Sequence, residues 1–411
     1  MRRVLRVLIA VLFLAAHAGA ETLRVGTSGD YAPFSAASAD RAGRFEGFDP
    51  AVARRFADER GLELEWVRFA WPELEADLAA GRFDVAMSGV TVRPERSLAG
   101  RFSVPVAWSG ALVLVSEDSA YRSVEDLRIP GVRVGVNAGG HLEKVARASF
   151  PHATLLAIPG NANVLPALLA GSVDAVVTDD VEAPGWLEQA PGHRALGPFS
   201  RDRKAYLVRA DRPDLARDLD AWLLAREANG TLDELREEHL GSGAAKEIAT
   251  PLRALLAAMD ERLDLMPFVA RAKRERGLPV RDPEQEERVL AAATKAARDA
   301  AQRAGVLPIP DRWVQALFRA QIDAGAVLQE RALARPAAGA SRAFDLEGEL
   351  RPALARIGER IAECLARLPG PLDAGAVEHE AQDQLDTPGL DSSAREALAE
   401  VIAQVSRYRA Q

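Results

Sequence analysis

Between Leu23 and about Gly241, short apolar runs alternate with amphipathic segments in two successive series, and then the alternation stops. The first series reads LRVGT, PAVARRFADERG, LELEWVRF, PELEADLAAG and FDVAMSG. The second reads RVGVN, LEKVARASF, ATLLAIP, NVLPALLAG and DAVVTD. Strand–helix alternation of this kind means parallel sheets covered by helices. Between the series, RFSVPVAWSGALVLVSE (101–117) reads as extended chain joining two α/β lobes. AYLVR (205–209) reads as the strand that returns to the first lobe, followed by a helix from Pro213 to Asn229. A chain that leaves one lobe, builds another and returns has a cleft between them, the usual place for a small ligand.

GSGAAKEIATP (241–251) is small and polar and ends in proline, as a linker does. Beyond it the pattern is helical throughout, rich in Ala, Leu, Glu and Arg. At the other end, MRRVLRVLIAVLFLAAHAGA has arginines, an apolar run and a small-residue ending, the form of a secretory signal cleaved after Ala20. The expected organisation is a signal peptide (1–20), an α/β domain (21–242), a linker (243–251) and an all-α domain (252–411). No later run is long enough to span a bilayer, so an exported, periplasmic protein without a membrane anchor is expected. The net charge of −8 disfavours nucleic acid as a partner. A single cysteine, Cys364, allows no internal disulfide, and the six histidines show no metal-binding spacing.

In the helical part, LLAAMDERLDLMPFVARAK places apolar residues at Leu252, Leu255, Leu256, Met259, Leu263 and Met266, at helical spacing. Arg262 and Lys273 are eleven residues apart. That is three turns plus about 20°, which puts both cations on one line at the edge of the apolar stripe. Buried cations need anionic partners, and no carboxylate of the same helix is placed to neutralise both. The partner is another helix or an acidic ligand. Pro267 lies between them and is the place where such a helix would kink.

With LPVRDPEQEERVL (278–290) and FRAQIDAGAVLQ (318–329) following in order, this segment resembles the secreted, all-helical chorismate mutases from about Leu252 to at least Ile361. The resemblance implies that Arg262 and Arg351 bind substrate carboxylates, that Lys273 donates to the ether oxygen with Gln329 opposite, and that Glu286 accepts the substrate hydroxyl. Asp282 and Gln285 join the binding set. Gln285 stands where many members have an arginine and Gly325 where a small hydroxyl residue is common. Asp282-Pro283-Glu284-Gln285 is also a good helix start in its own right.

GTSGDYAPF, FEGFD, SGVTVRPER and DAVVTDDVEA, in that order, resemble the periplasmic solute-binding proteins for polar amino acids. The branch that GDYAPF, AWPELEADLAAGRFDVAMSG, NAGG, TDDVEA and KAYL match is the periplasmic cyclohexadienyl dehydratases, over residues 23–240. The implied architecture is a two-lobed α/β periplasmic-binding-protein fold of type II, followed by an all-α chorismate mutase domain. Thr91 and Arg96 would grip a carboxylate, with Ser88 and Gly89 in the same turn, because a guanidinium offers it a planar fork. Tyr31 and Trp71 would line the ring pocket, Asn137 and Gly140 would reach in from the second lobe, and Asp179 and Lys204 complete the binding set. Glu182 stands where the dehydratases carry their acid.

Each of these residues has a plainer role as well. Glu182 at a helix start is a common surface acid, Arg96 a common solvated charge, Asp179 and Asp180 common helix caps, and Trp71 before Pro72 a core residue at a helix start. His141 replaces a small hydroxyl residue and reads as a polar helix start or a proton-transfer group. Pro184 replaces an arginine. The two resemblances name consecutive steps, chorismate to prephenate and prephenate to phenylpyruvate, with arogenate as an alternative substrate and no cofactor required. The competing reading is an amino-acid-binding domain without dehydratase activity fused to an active mutase. The sequence leaves open whether the chain self-associates as a homo-oligomer.

Overall fold

The computed structural model describes residues 21–38, 40–241, 249–334 and 342–409. The expected signal peptide and most of the expected linker lie outside these residues.

The first lobe is built on a five-stranded sheet ordered Glu63–Arg68, Thr22–Thr27, Val85–Ala86, Leu207–Arg209, Gly100–Phe102. The first three strands are parallel. Leu207–Arg209 runs antiparallel to both of its neighbours, because it is the chain returning from the second lobe. The second lobe repeats the design in the order Thr154–Ile158, Arg133–Asn137, Ala175–Asp179, Ala111–Ser116, His193–Leu196, with Ala111–Ser116 antiparallel to both of its neighbours. The all-parallel expectation thus holds for the three crossover strands of each sheet and fails at the strands made by crossing between lobes. AVVTD and ALVLV are buried at every residue, as strands covered on both faces are. Ala107–Ser109 and Asp202–Lys204 pair antiparallel as the two-stranded connection between lobes. The expected helix after the return strand spans Pro213–Ala228.

All regular elements from Pro251 onward are helical among the described residues. Thr250 caps the first of them by accepting from Arg253 N at 3.1 Å, with Pro251 at the opening position. This helix, Pro251–Asp264, is buried on every side from Ala254 to Leu263. It packs against Arg351–Arg367 and Ala374–Gln384. The expected single helix through Arg262 and Lys273 is instead two, broken at Leu265, with a second helix over Met266–Glu275. Pro267 lacks the N–H that would continue the ladder, and its ring crowds the preceding turn. Ala374–Gln384 and Ser392–Arg409 close the bundle.

One continuous apolar core runs through the first lobe and the helical domain. Polar ties cross the same seam. Arg360 donates to Ser103 O at 2.8 Å, Arg356 to Leu98 O at 2.9 Å, and Arg203, on the inter-lobe strand, pairs with Asp260. Successive helical residues point about 100° apart, so the buried run Asp260, Glu261, Arg262 faces three surroundings. Asp260 meets Arg203 and Thr387, Glu261 meets Arg360 at 2.7 Å, and Arg262 meets an open cavity.

Candidate active sites

The lobes meet around a cavity of about 380 Å³. Tyr31, Trp71, Gly89, Thr91 and Arg96 come from the first lobe, Asn137, Gly140, His141 and Asn161 from the second, and Lys204 from the inter-lobe strand. Arg96 follows Pro94, which opens the short helix Pro94–Ala99. It is 1% exposed, and its guanidinium lies 5.5 Å from the Trp71 ring centre. Nη1 donates to Thr91 O at 3.0 Å and Nε reaches Glu75 at 3.4 Å, while Nη2 is buried without a hydrogen-bond partner among the described residues. Burial, and then the charge of Arg93, lowers its pKa to about 9. An anion in the cavity would supply what this guanidinium lacks.

The Lys204 ammonium donates to Tyr31 Oη at 3.0 Å and Thr91 Oγ1 at 2.9 Å, with Asp179 at 3.7 Å. Tyr31 in turn donates to Asp179, a bond that joins the two lobes directly. Asp179 also accepts from the backbone N–H groups of Val181 and Glu182 at 3.1 and 3.0 Å, so it fixes the turn that presents Glu182. Glu182 is 4% exposed rather than a surface acid. It accepts from Asn161 Nδ2 at 2.6 Å and Thr178 Oγ1 at 2.7 Å. Burial, followed by the charge of Asp179, raises its pKa well above the ordinary carboxylate range, which favours the protonated form.

Glu182, Asp179 and Ser88 stand behind the cavity wall rather than on it. Ser88 accepts from Ser28 N at 3.1 Å and holds the turn leading to Gly89. Sequence reasoning missed Asn161, which lies on the wall, donates to Glu182 and bonds to Asp30 of the other lobe. Its only signal was a Gly-Asn-Ala-Asn turn after a strand. His141 begins the helix His141–Ser149 and also faces the cavity, with Nε2 2.7 Å from Asp202 Oδ1.

The helical domain borders a larger cavity, about 1570 Å³, with Arg262, Gln285 and Arg351 on its wall. Arg262 is 6% exposed and makes no hydrogen bond or ion pair among the described residues; its Nη1 is buried and unpartnered. Burial alone lowers its pKa to about 10. Arg351 pairs with Glu347 at 2.5 Å. Four expected residues stand off this wall. Lys273 is half-buried and donates to Val280 O at 2.6 Å; burial lowers its pKa, with Asp282, Arg351 and Glu286 close enough to act on it. Asp282 caps the helix Pro283–Ala304 through Gln285 N at 3.1 Å, the plainer of its two expected roles. Glu286 lies 3.6 Å from Arg281. Gln329 is buried, its Nε2 3.7 Å from Met266 Sδ and its Oε1 unpartnered among the described residues. The single constellation expected from sequence is therefore divided. The helix is broken at Leu265, between Arg262 and Lys273, and Met266 fills the space beside Gly325 and Gln329, where a Cβ on Gly325 would come within 3.0 Å of its sulfur.

Among the described residues no helix is long and apolar enough to cross a membrane, and no group of His, Cys, Asp and Glu is arranged to hold a metal. Comparison with known proteins matches the two parts of the chain separately. Residues 23–242 match the model of bacterial extracellular solute-binding proteins, family 3, and residues 246–330 match chorismate mutase type II. A cyclohexadienyl dehydratase of Pseudomonas aeruginosa is 37% identical over 222 residues, 53% of this chain and 81% of the relative. A probable amino-acid ABC transporter-binding protein of Haemophilus influenzae is 30% identical over 225 residues, 54% of this chain and 85% of the relative. Among solved structures, an ancestral amino acid-binding protein described as a precursor of cyclohexadienyl dehydratase aligns with TM-score 0.50 at 34% identity, covering 53% of this chain and 95% of that one. With a two-lobed domain that shares both its fold and more than half of the chain's length with these proteins, the chain belongs to the bacterial extracellular solute-binding proteins of family 3, carrying a chorismate mutase type II domain on its C-terminal side.

Proposed function

We propose that the chain is an exported bifunctional enzyme that rearranges chorismate to prephenate in the helical domain and converts prephenate to phenylpyruvate in the two-lobed domain. One observation carries the reading: Arg96 and Arg262 each line a cavity, and each has a buried guanidinium nitrogen, Nη2 and Nη1, without a hydrogen-bond partner among the described residues. Both substrates are carboxylates that would complete those sites.

The rearrangement of chorismate is unimolecular and needs no nucleophile. The site has to hold the compact conformer and stabilise charge building on the ether oxygen. Arg262 and Arg351 bind the carboxylates, and Lys273, close enough to Arg351 to feel its charge, is the donor for the ether oxygen. In the second step the ring hydroxyl of prephenate leaves as water with the proton of Glu182, which has to come forward from behind Asn161 to reach it. The ring carboxylate departs as carbon dioxide, and its electron pair completes the aromatic ring. Glu182 then regains its proton from water. The upward shift of its pKa suits it to this role.

The first cavity's wall carries two cations, Arg96 and Lys204, and no carboxylate. Asp179, just behind, is already engaged by Tyr31 and Lys204. A ligand with an ammonium group finds no free anion here, which favours prephenate over arogenate or an amino acid. Export rests on the signal-like first twenty residues and on the family's extracellular setting. Incubating purified protein with prephenate at neutral pH is the test. Wild type forms phenylpyruvate, and Glu182→Gln binds without turnover. A wild type that binds prephenate and leaves it intact reduces the first domain to a solute-binding module.

A further inference from the structure

The mutase cavity is not enclosed by the mutase domain alone. Arg101, on the first-lobe strand Gly100–Phe102, and Arg217, on the helix Pro213–Ala228, stand on the same wall as Arg262 and Arg351. An adjoining cavity of about 470 Å³ in the same seam shares Arg101, Arg217 and Glu359. Arg288, Lys295 and Arg303 bring the cavity's cations to seven, against two acids, Asp299 and Glu359. That excess stands in a chain whose net charge is −8, so it is a local concentration and not a reflection of composition. Most of these cations have carboxylate partners: Lys295 pairs with Asp299 on the wall itself and Arg303 with buried Glu363, while Arg262 has none among the described residues. Arg217 pairs with Asp214, whose side chain is 92% exposed, and Arg351 with Glu347, which is 53% exposed. Arg101 is held in place by Ala210 O at 3.1 Å and by Glu359 at 2.9 Å, the one acid on the wall that it meets.

We propose that the first domain completes the mutase site, with Arg101 and Arg217 forming a cationic vestibule that draws the dianionic substrate toward Arg262. The proposal rests on the mutase reading of the helical domain. A cavity lined by one sign of charge raises the local concentration of an oppositely charged ligand and its rate of entry. Those effects are screened by salt, more so at a wide, solvent-filled mouth than at a buried contact. The vestibule therefore governs KM and its salt dependence, while the rearrangement itself, at Arg262, governs kcat.

The test uses the full chain and steady-state kinetics on chorismate at low and high salt. Arg101→Gln/Arg217→Gln raises KM about fivefold at low salt, leaves kcat within about twofold, and flattens the salt dependence. Glu359→Gln separates electrostatics from packing, since it breaks the same ion pair as Arg101→Gln but removes the opposing charge. If the role is electrostatic, Glu359→Gln lowers KM about twofold; if the pair merely holds the domains together, both variants raise it. An active wild type whose KM ignores the double substitution, or shifts in the same direction in both variants, overturns the vestibule alone. A wild type that does not consume chorismate overturns the mutase reading and the vestibule with it.

Discussion

At the scale of single residues, the informative side chains are those whose burial the fold leaves uncompensated. In the proposed reaction Glu182 works in its protonated form, and burial raises its pKa. Dehydratase kcat/KM should therefore stay level through the ordinary carboxylate range, about pH 4.3, and fall only as pH rises through the elevated value. A pH–rate profile that already declines near the ordinary range would remove Glu182 as the acid. Glu182→Gln should cost about 10²–10⁴-fold in turnover with ligand binding retained. Arg262 gives a prediction of opposite character. A buried, unpaired charge destabilises the free protein, so Arg262→Met should raise unfolding stability by about 1–3 kcal/mol while abolishing mutase turnover. Calorimetry showing lower stability would mean that an unseen partner already satisfies it. Much of this scale was legible in the sequence: Tyr31, Trp71, Thr91, Arg96, Asn137 and Lys204 share one cavity. Asn161 was not, because an asparagine in a turn looks the same whether it faces solvent or a carboxyl group.

At the scale of elements, patterning identified strands and helices well, and failed where one residue redirects the chain. The periodicity from Leu252 to Met266 is helical on both sides of the break, so no count of apolar positions reveals that Leu265 ends one helix and Met266 begins another. Pro267 was the only warning; Arg262 lines the cavity, while Lys273 stands off its wall and donates to Val280 O. Turns carry a similar constraint. Gly139 has φ +74°, and a Cβ there would lie 2.6 Å from Pro72 Cγ of the opposite lobe. Gly139→Ala strains the backbone and also wedges the lobes apart. We expect KM for prephenate to rise about tenfold or more, since about 1.4 kcal/mol suffices for that, with mutase kinetics unchanged. Equal effects on both activities would point to general misfolding instead of a blocked lobe closure.

For the whole molecule, the succession of an α/β part and a helical part was readable from composition, but the closeness of the two was not. Arg203, Arg356 and Arg360 look like ordinary charges in sequence, yet each crosses the seam to a buried or backbone acceptor. Arg360 also neutralises Glu261, which is 3% exposed. Arg360→Ala strands that carboxylate and should cost about 3–5 kcal/mol. With a shared apolar core, thermal unfolding of wild type should show one transition; two well-separated transitions would mean that the seam contributes little. Supplying chorismate alone to the purified full-length chain, with no second enzyme, tests the central claim most directly. The account predicts phenylpyruvate in amounts matching the chorismate consumed, accumulation of prephenate in Glu182→Gln, and untouched chorismate in Arg262→Met. Wild-type protein that stops at prephenate, or leaves chorismate unchanged, contradicts it.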